Sequence, residues 1–326
     1  MTTDPHPYSA LTPDRVLDAL DSVGIRGDGR MLPLGSYENR VYQVWRDYAL
    51  PVVAKFYRPG RWTDDQILEE HLFVDELVAQ EIPVVAPLVL EGRTLHAFAD
   101  FRFAVYPRRG GRAPELEQRA TLEQLGRFIG RLHTVGAVRS FKHRPALTIE
   151  AFGDESRDYL LAHDFIPADI RPAWKSVIDE ALQRVRRAFA NHRTKTLRLH
   201  GDCHGGNVLW TDDGPHFVDF DDARTGPAVQ DLWMLLSGDR AGMESQLGAV
   251  LEGYETFREF DRRELALIEP LRTLRLLHYS AWLARRWDDP AFPAAFPWFN
   301  TQRYWQDRIL EMREQLALMD EPPLSV

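Results

Sequence analysis

Three oxygen-bearing side chains stand close together in the middle of this chain. Asp202 and Asn207 lie in the run His200-Gly201-Asp202-Cys203-His204-Gly205-Gly206-Asn207-Val208-Leu209-Trp210, and Asp219 lies in Phe217-Val218-Asp219-Phe220. A carboxylate, an amide five positions on and a second carboxylate twelve beyond that are what a phosphoryl-transfer centre needs to orient a hydroxyl and hold metal-bound phosphates. Asp202 follows the apolar Leu197-Arg198-Leu199, so a loop there lets its carboxylate accept the acceptor hydroxyl's proton or hold it in line. Asn207 ends that loop, and Asp219 is expected to end the second strand of a hairpin closed by Asp212-Asp213-Gly214. The turn returns both oxygen ligands to one place, where they suit magnesium and its bridging phosphates. Single Asp and Asn residues usually cap turns or break loops, and it is the joint pattern on strand-turn-strand that points to chemistry.

A lysine for the phosphates and an acid to steady it belong upstream. Lys55 lies inside Val52-Val53-Ala54-Lys55-Phe56, a strand of buried-type residues. On the next helix Glu70 shares a face with Phe73, Val74 and Leu77 at spacings of three, four and seven, which turns its carboxylate inward, whereas Glu69 points toward Glu76. Leu34-Gly35-Ser36-Tyr37-Glu38-Asn39-Arg40 reads either as a loop covering phosphates with N–H groups and the Ser36 hydroxyl or as a plain hairpin turn. Tyr106 ends the last upstream strand and is counted with the nucleotide-binding residues. Cys203, beside Asp202, is either a redox-sensitive thiol or a small buried filler.

The elements that must position these groups fall into two lobes. After a short helix near Pro13 to Val23, strands at Arg40 to Trp45 and Pro51 to Tyr57 form a hairpin turned near Asp47 and feeding a third strand. A helix spans Asp65 to Gln80 and stops at Pro83, and two apolar runs, Val84 to Leu90 and Phe101 to Tyr106, complete an antiparallel sheet. Pro107-Arg108-Arg109-Gly110-Gly111 has hinge composition, and helices at Leu122 to Val135 and Trp174 to Ala190 follow, with a strand hairpin at Val208 to Trp210 and His216 to Phe220. The expectation is α+β: a small antiparallel β lobe with one long helix (residues 1–107, binding ATP) and a large, mainly helical catalytic and substrate lobe (residues 108–326).

Composition narrows the class. A chain of 326 residues with 44% hydrophobic content is long enough for two lobes. A formal charge of −9 argues against nucleic-acid binding, and a single cysteine rules out an internal disulfide framework. No leader-like segment and no apolar run of spanning length is seen, so a cytoplasmic protein without membrane insertion is expected. Thr2-Thr3-Asp4-Pro5-His6-Pro7 and Glu321-Pro322-Pro323-Leu324-Ser325-Val326 read as frayed ends.

Together these residues resemble the aminoglycoside and choline kinase-like phosphotransferases, an atypical branch of the protein-kinase fold. Ser36-Tyr37-Glu38-Asn39-Arg40-Val41-Tyr42, Lys55-Phe56-Tyr57-Arg58-Pro59, Arg198 to His204, Asp221-Asp222-Ala223-Arg224, Gly226 to Trp233 and the Trp282 to Trp298 region are similar to the bacterial stress response kinase A family. The resemblance implies a cytoplasmic, monomeric, ATP- and Mg2+-dependent protein Ser/Thr kinase, itself a phosphoprotein, acting in envelope and oxidative stress protection. By that resemblance Asp202 is the proton acceptor, Asn207 and Asp219 are magnesium ligands, Asp219 is also an active-site residue, Ser36 touches ATP, and Asp231 braces the catalytic loop.

Departures from ordinary protein kinases bear on regulation. Gly201 stands where an arginine normally precedes the catalytic Asp, and few residues separate Asp219 from Gly226-Pro227, so switching by a phosphorylated activation loop is not expected. Asp221 reads equally as a metal-facing carboxylate or as a turn cap with Arg224. Trp282, Arg285, Arg286, Trp287, Phe292, Phe296, Trp298 and Phe299 read as core or as the wall of an acceptor groove. The rivals are a small-alcohol kinase of choline, aminoglycoside or homoserine type, a nucleotide-binding pseudokinase, and a metallophosphoesterase using Gly201-Asp202-Cys203-His204-Gly205.

Overall fold

The computed structural model describes residues 6–326. In chain order the first elements are α1 (Pro13–Asp21), β1 (Met31–Pro33), β2 (Arg40–Arg46), β3 (Ala49–Phe56), α2 (Asp64–Ala79), β4 (His96–Phe98) and β5 (Phe101–Pro107). Next come α3 (Arg119–Gly136), α4 (Glu155–Ala162), α5 (Arg171–Asn191), β6 (Leu197–Leu199), β7 (Val208–Thr211), β8 (Gly214–Phe217) and β9 (Arg224–Gly226). The chain closes with α6 (Arg240–Tyr254), α7 (Ile268–Arg285), α8 (Ala291–Ala295) and α9 (Gln302–Asp320). It packs as two compact units. One runs up to Glu115 and takes in Phe141–Arg144 and His204–Ala223; the other holds Leu116–Ser140, Pro145–Cys203 and Arg224–Val326.

In the first unit an antiparallel sheet has the order β1-β2-β3-β5-β4. Side chains alternate across a strand, so Val52, Ala54 and Phe56 of β3 join Val16 and Leu20 of α1 in one core, while Lys55 faces the other way. Ala104, the register partner of Lys55, packs with Ile67 of α2 on that second face. α2 begins in a capping box, with Thr63 Oγ1 accepting from the Gln66 N–H and Gln66 Oε1 from the Thr63 N–H. The expected strand at Val84 to Leu90 is not formed. Pro83 and Pro87 remove ladder donors there, leaving a bridge between Val84 and Phe217 and a bond from Leu88 N to Val105 O at 2.7 Å, and the sheet takes its fourth strand from β4 instead.

The second unit is mainly helical. α3 and α6 approach closely because Gly126 and Gly130 face Val250 and Tyr254 while Gly253 faces Glu123. β6 and β9 form a two-stranded ribbon in which Leu199 pairs with Arg224. Of the ends expected to fray, Thr2 to Pro5 lie outside the described residues. The carboxyl end departs from expectation: Leu324 is buried, Arg240 Nη2 donates to Pro323 O at 2.6 Å, and Ser325 N donates to Glu244 at 3.0 Å. The start of α6, through Arg240 and Glu244, supplies partners that the terminal composition does not reveal. Among the described residues no helix is long and apolar enough to cross a membrane.

Candidate active site

In the first unit Lys55 is buried, and its ammonium lies 2.9 Å from Asp219 Oδ1 and 3.2 Å from Asp221 Oδ1. Burial alone would draw the lysine's pKa down, but Asp219 and Asp221, with Glu70 farther off, hold it well above its ordinary value. Asp219 does not end a strand as expected. β8 stops at Phe217, and Asp219 takes the left-handed conformation, φ 60 and ψ 65, before a 3-10 turn at Phe220–Asp222. A short Asp tolerates that backbone better than a branched residue would, and such outliers gather at functional sites. Its side chain stays 49% exposed while still reaching Lys55.

Asp221 is buried, accepts from Asn39 Nδ2 at 3.1 Å, and forms an ion pair with Arg61, which also reaches Asp222 at 3.0 Å. Burial pushes its pKa up, yet Arg61 and Lys55 outweigh burial and bring it to about 2. Asn39 in turn accepts the Arg58 N–H at 3.1 Å.

Glu70 is buried on α2, with its Oε2 3.9 Å from Arg144 Nη1. Burial raises its pKa to about 7 against the pull of Lys55. Lys55 thus takes Asp219 and Asp221 as its ion-pair partners, and Glu70 acts on it at longer range. Glu69 turns toward the backbone of residues 142–144, accepting the N–H groups of Lys142, His143 and Arg144 at 2.6, 2.8 and 2.7 Å. The buried Arg144 guanidinium donates to Ala223 O at 2.8 Å and to Asp221 O, and stacks 4.2 Å over Trp62. Glu69 thus takes backbone N–H groups of residues 142–144, not the direction of Glu76 expected from helical spacing. The roles of Asn39, Arg61 and Arg144 have no signal among their neighbours in sequence, because their partners are distant along the chain.

Tyr106 lies opposite Val53, and its hydroxyl meets Tyr57 Oη at 3.1 Å. Tyr57 Oη continues to His71 Nε2 at 2.8 Å, and His71 Nδ1 to Thr94 at 2.9 Å. Burial, then Lys55, lowers the His71 pKa to about 3, so the chain of hydrogen bonds runs through a neutral imidazole. Ser36 sits between β1 and β2, its N–H donating to Leu34 O at 2.7 Å. Asn207 ends a 3-10 turn capped by His204 Nδ1, which accepts the Gly206 N–H at 3.0 Å. Asn207 O accepts the Val218 N–H at 3.0 Å, which ties Asn207 to the residue preceding Asp219.

Asp202 belongs to the second unit. Its loop leaves β6 through Gly201, at φ +86, and Asp231, fully buried, accepts the N–H groups of His200 and Gly201, each at 2.8 Å. Asp231 also meets His133 Nε2 at 3.1 Å, and His133 Nδ1 meets Tyr254 Oη at 2.9 Å. Gln230 Nε2 donates to Gly201 O at 3.1 Å. The Asp202 carboxylate is engaged by Arg275 Nη1 of α7 at 2.6 Å. Cys203 is buried, and burial together with Asp231 and Asp202 raises its thiol pKa well above the ordinary value, which favours the filler reading.

The late aromatics are largely packed on one another. Phe292 and Phe299 are buried, Trp282 meets Phe292 at 5.0 Å, and Phe299 meets Trp287 at 4.8 Å, while Trp298 is exposed. Arg285 and Arg286 are placed over Tyr159 and Trp282.

Comparison with known proteins adds a family. The model of the phosphotransferase enzyme family matches residues 30–268. "Stress response kinase A" of Escherichia coli (strain K12) is 48% identical over 319 residues, which is 98% of this chain and 97% of that protein. A Salmonella typhimurium (strain LT2) relative called "Serine/threonine protein kinase RdoA" is 47% identical over the same lengths. Among solved structures, a microcompartment-associated aminopropanol kinase has a TM-score of 0.71 at 17% identity, covering 94% of this chain and 96% of that one. An amicoumacin kinase in complex with AMP-PNP, Ca2+ and Ami has a TM-score of 0.69 at 19% identity, covering 91% and 90%. The two-lobed α+β expectation agrees with these folds.

Proposed function

The chain belongs to the phosphotransferase enzyme family, and from that premise we propose that it is an ATP- and Mg2+-dependent kinase transferring the γ-phosphoryl group to Ser or Thr of protein substrates. The observation that carries the reading is the convergence of the buried Lys55 with Asp219 and Asp221 across more than 160 positions of sequence. A lysine fixed between carboxylates is a fixed cation, and nucleotide phosphates are the anions it suits.

The donor set fits a hard divalent cation. Asn207 offers an amide oxygen, Asp219 a half-exposed carboxylate, and the bond from Val218 N to Asn207 O keeps the two segments together. A cation held there supplies charge neutralisation for the phosphate oxygens. Lys55 would bind the phosphates, and Ser36 and Tyr106 belong to the nucleotide's surroundings. Glu70 sets the field on the Lys55 side. Asp202 would accept the proton of the acceptor hydroxyl from a loop stiffened by Asp231.

The protein acceptor rests on the name of the Salmonella relative, and a part in a stress response rests on the name of the Escherichia coli one. The test is incubation of wild type and Asp202→Ala with Mg2+ and γ-labelled ATP, with Ser/Thr proteins and with small alcohols. Label on Ser or Thr that vanishes in the variant supports the reading. Label only on a small alcohol would keep the mechanism and replace the acceptor, and nucleotide binding without transfer would favour a scaffold.

A further inference from the structure

The acceptor side of Asp202 carries a positive charge that a cation-binding kinase would avoid. Within the second unit Arg275 Nη1 meets Asp202 Oδ1 at 2.6 Å, and its side chain remains 42% exposed. A guanidinium has five N–H donors, and among the described residues Asp202 is the only hydrogen-bond partner of this one. Three positions along α7, His278 stacks on Phe152 with centroids 4.3 Å apart. Phe152 is presented by a π-helical turn at Glu150–Asp154, a backbone irregularity common at functional sites. Its ring also lies 4.8 Å beneath the guanidinium of Arg224, whose backbone pairs with Leu199, three residues before Asp202. Arg275 thus meets the proposed base directly, and His278 on the same helix leads to Phe152 and the buried Arg224.

An acceptor hydroxyl must compete with Arg275 for the Asp202 carboxylate, so Arg275 needs another anion to take. A cationic alcohol would bring like charge against Arg275 and leave the pair in place. A carboxylate next to the hydroxyl would offer Arg275 a bidentate partner and release Asp202 toward the hydroxyl. Resting on the kinase reading above, we propose that Arg275 determines acceptor specificity by binding an anionic group adjacent to the hydroxyl, so that the preferred substrate is a Ser or Thr within an acidic segment.

The experiment compares full-length wild type, Arg275→Gln and Arg275→Glu with Mg2+ and γ-labelled ATP. The acceptors are Ser peptides identical except for Asp/Glu, neutral or Lys/Arg flanks, together with a hydroxy acid and choline. Binding of a fluorescent acid-flanked peptide to the Mg–ADP complex is measured in parallel. The expected result is kcat/KM at least about tenfold higher for acidic than for basic flanks, a flattened series in Arg275→Gln and a reversed one in Arg275→Glu. The ratio between peptides is the readout, so a general loss of activity does not mimic it. A wild-type preference for basic flanks or choline overturns the proposal, as does an order unchanged in Arg275→Glu or an absence of both transfer and peptide binding. Transfer only to the hydroxy acid, or binding without transfer, if lost in Arg275→Glu, would sustain the role of Arg275 while the protein-kinase reading failed.

Discussion

Lys55 and Asp219 are 164 positions apart in sequence, and their charged atoms are 2.9 Å apart. β3 supplies the first through the period-2 alternation that turns Lys55 away from the α1 core, and the left-handed turn after β8 supplies the second. Asp221, two residues on, is sealed in by Asn39 and Arg61 and fixes that turn against the same lysine. One cation therefore stabilises the turn and faces the half-exposed carboxylate proposed for the metal.

Lys55→Met should separate those two roles. Transfer from ATP should fall by about 100-fold or more, the scale on which removal of one preorganised charge acts. Asp221 would keep Arg61 and Asn39 but lose one buried counter-charge, so stability should drop by about 3 kcal/mol, the low end for a broken buried pair. Urea unfolding and initial-rate kinetics measure the two losses. A variant as active as wild type would remove Lys55 from the chemistry.

Asp231→Asn tests the catalytic loop. Its two carboxylate oxygens accept two backbone N–H groups and face His133, whereas an amide turns its NH2 toward one of those donors. The variant should lose about 100-fold in kcat with KM for ATP within about twofold of wild type, because Asp231 holds the loop and not the nucleotide. Equal damage to nucleotide binding would contradict a positioning role.

The spans of α1, β2, β3, α2, β5, α3 and α5 were legible because each carries a period, a cap or a proline stop in its own residues. Where the reading missed, the deciding contact was distant. Val84 to Leu90 is apolar enough for a strand, but its prolines cannot complete a ladder. Asp221 reads in sequence as a metal-facing carboxylate or a turn cap, and its bonds to Asn39 and Arg61, 182 and 160 positions away, have no local signal. Arg144 is one of 40 Lys and Arg residues, and nothing beside it in sequence says that its guanidinium will be buried over Trp62. The candidate acids and amide can be named from their spacing and the lysine from its apolar strand, while the arginines that set their field cannot.

Two glycines of α6 should behave oppositely. A Cβ on Gly253 would stand 1.9 Å from Glu123 O of α3, and backbone cannot yield as a side-chain tip can. Gly253→Ala should therefore destabilise by about 3 kcal/mol or more. Gly248 has nothing within 4 Å of the same position, so Gly248→Ala should stabilise by roughly 0.5–1 kcal/mol through helix propensity. Thermal unfolding of both variants checks the pair, and a tolerated Gly253→Ala would mean that α3 and α6 do not meet as described.

Glu70 should leave a signature in the pH dependence of stability. Its pKa rises from 4.5 to about 7 because burial disfavours the carboxylate more than Lys55 favours it. Between those values the folded protein holds more protons than the unfolded chain, so this contribution is complete at low pH and is lost as pH rises through about 7. The whole change is on the order of 3 kcal/mol. Asp221 has the opposite sign, its contribution being present above 3.8 and lost as pH falls toward about 2, outside the Glu70 window. Glu264, also raised to about 7, gives the same slope as Glu70 but is common to wild type and variant. Glu70→Gln, which keeps the shape and removes the titration, should therefore gain stability relative to wild type as pH rises from 5 to 8. Paired unfolding curves across that range measure the difference. A constant offset would show that Glu70 does not titrate there, and a difference of the opposite sign would show that Lys55 and Arg144 outweigh burial.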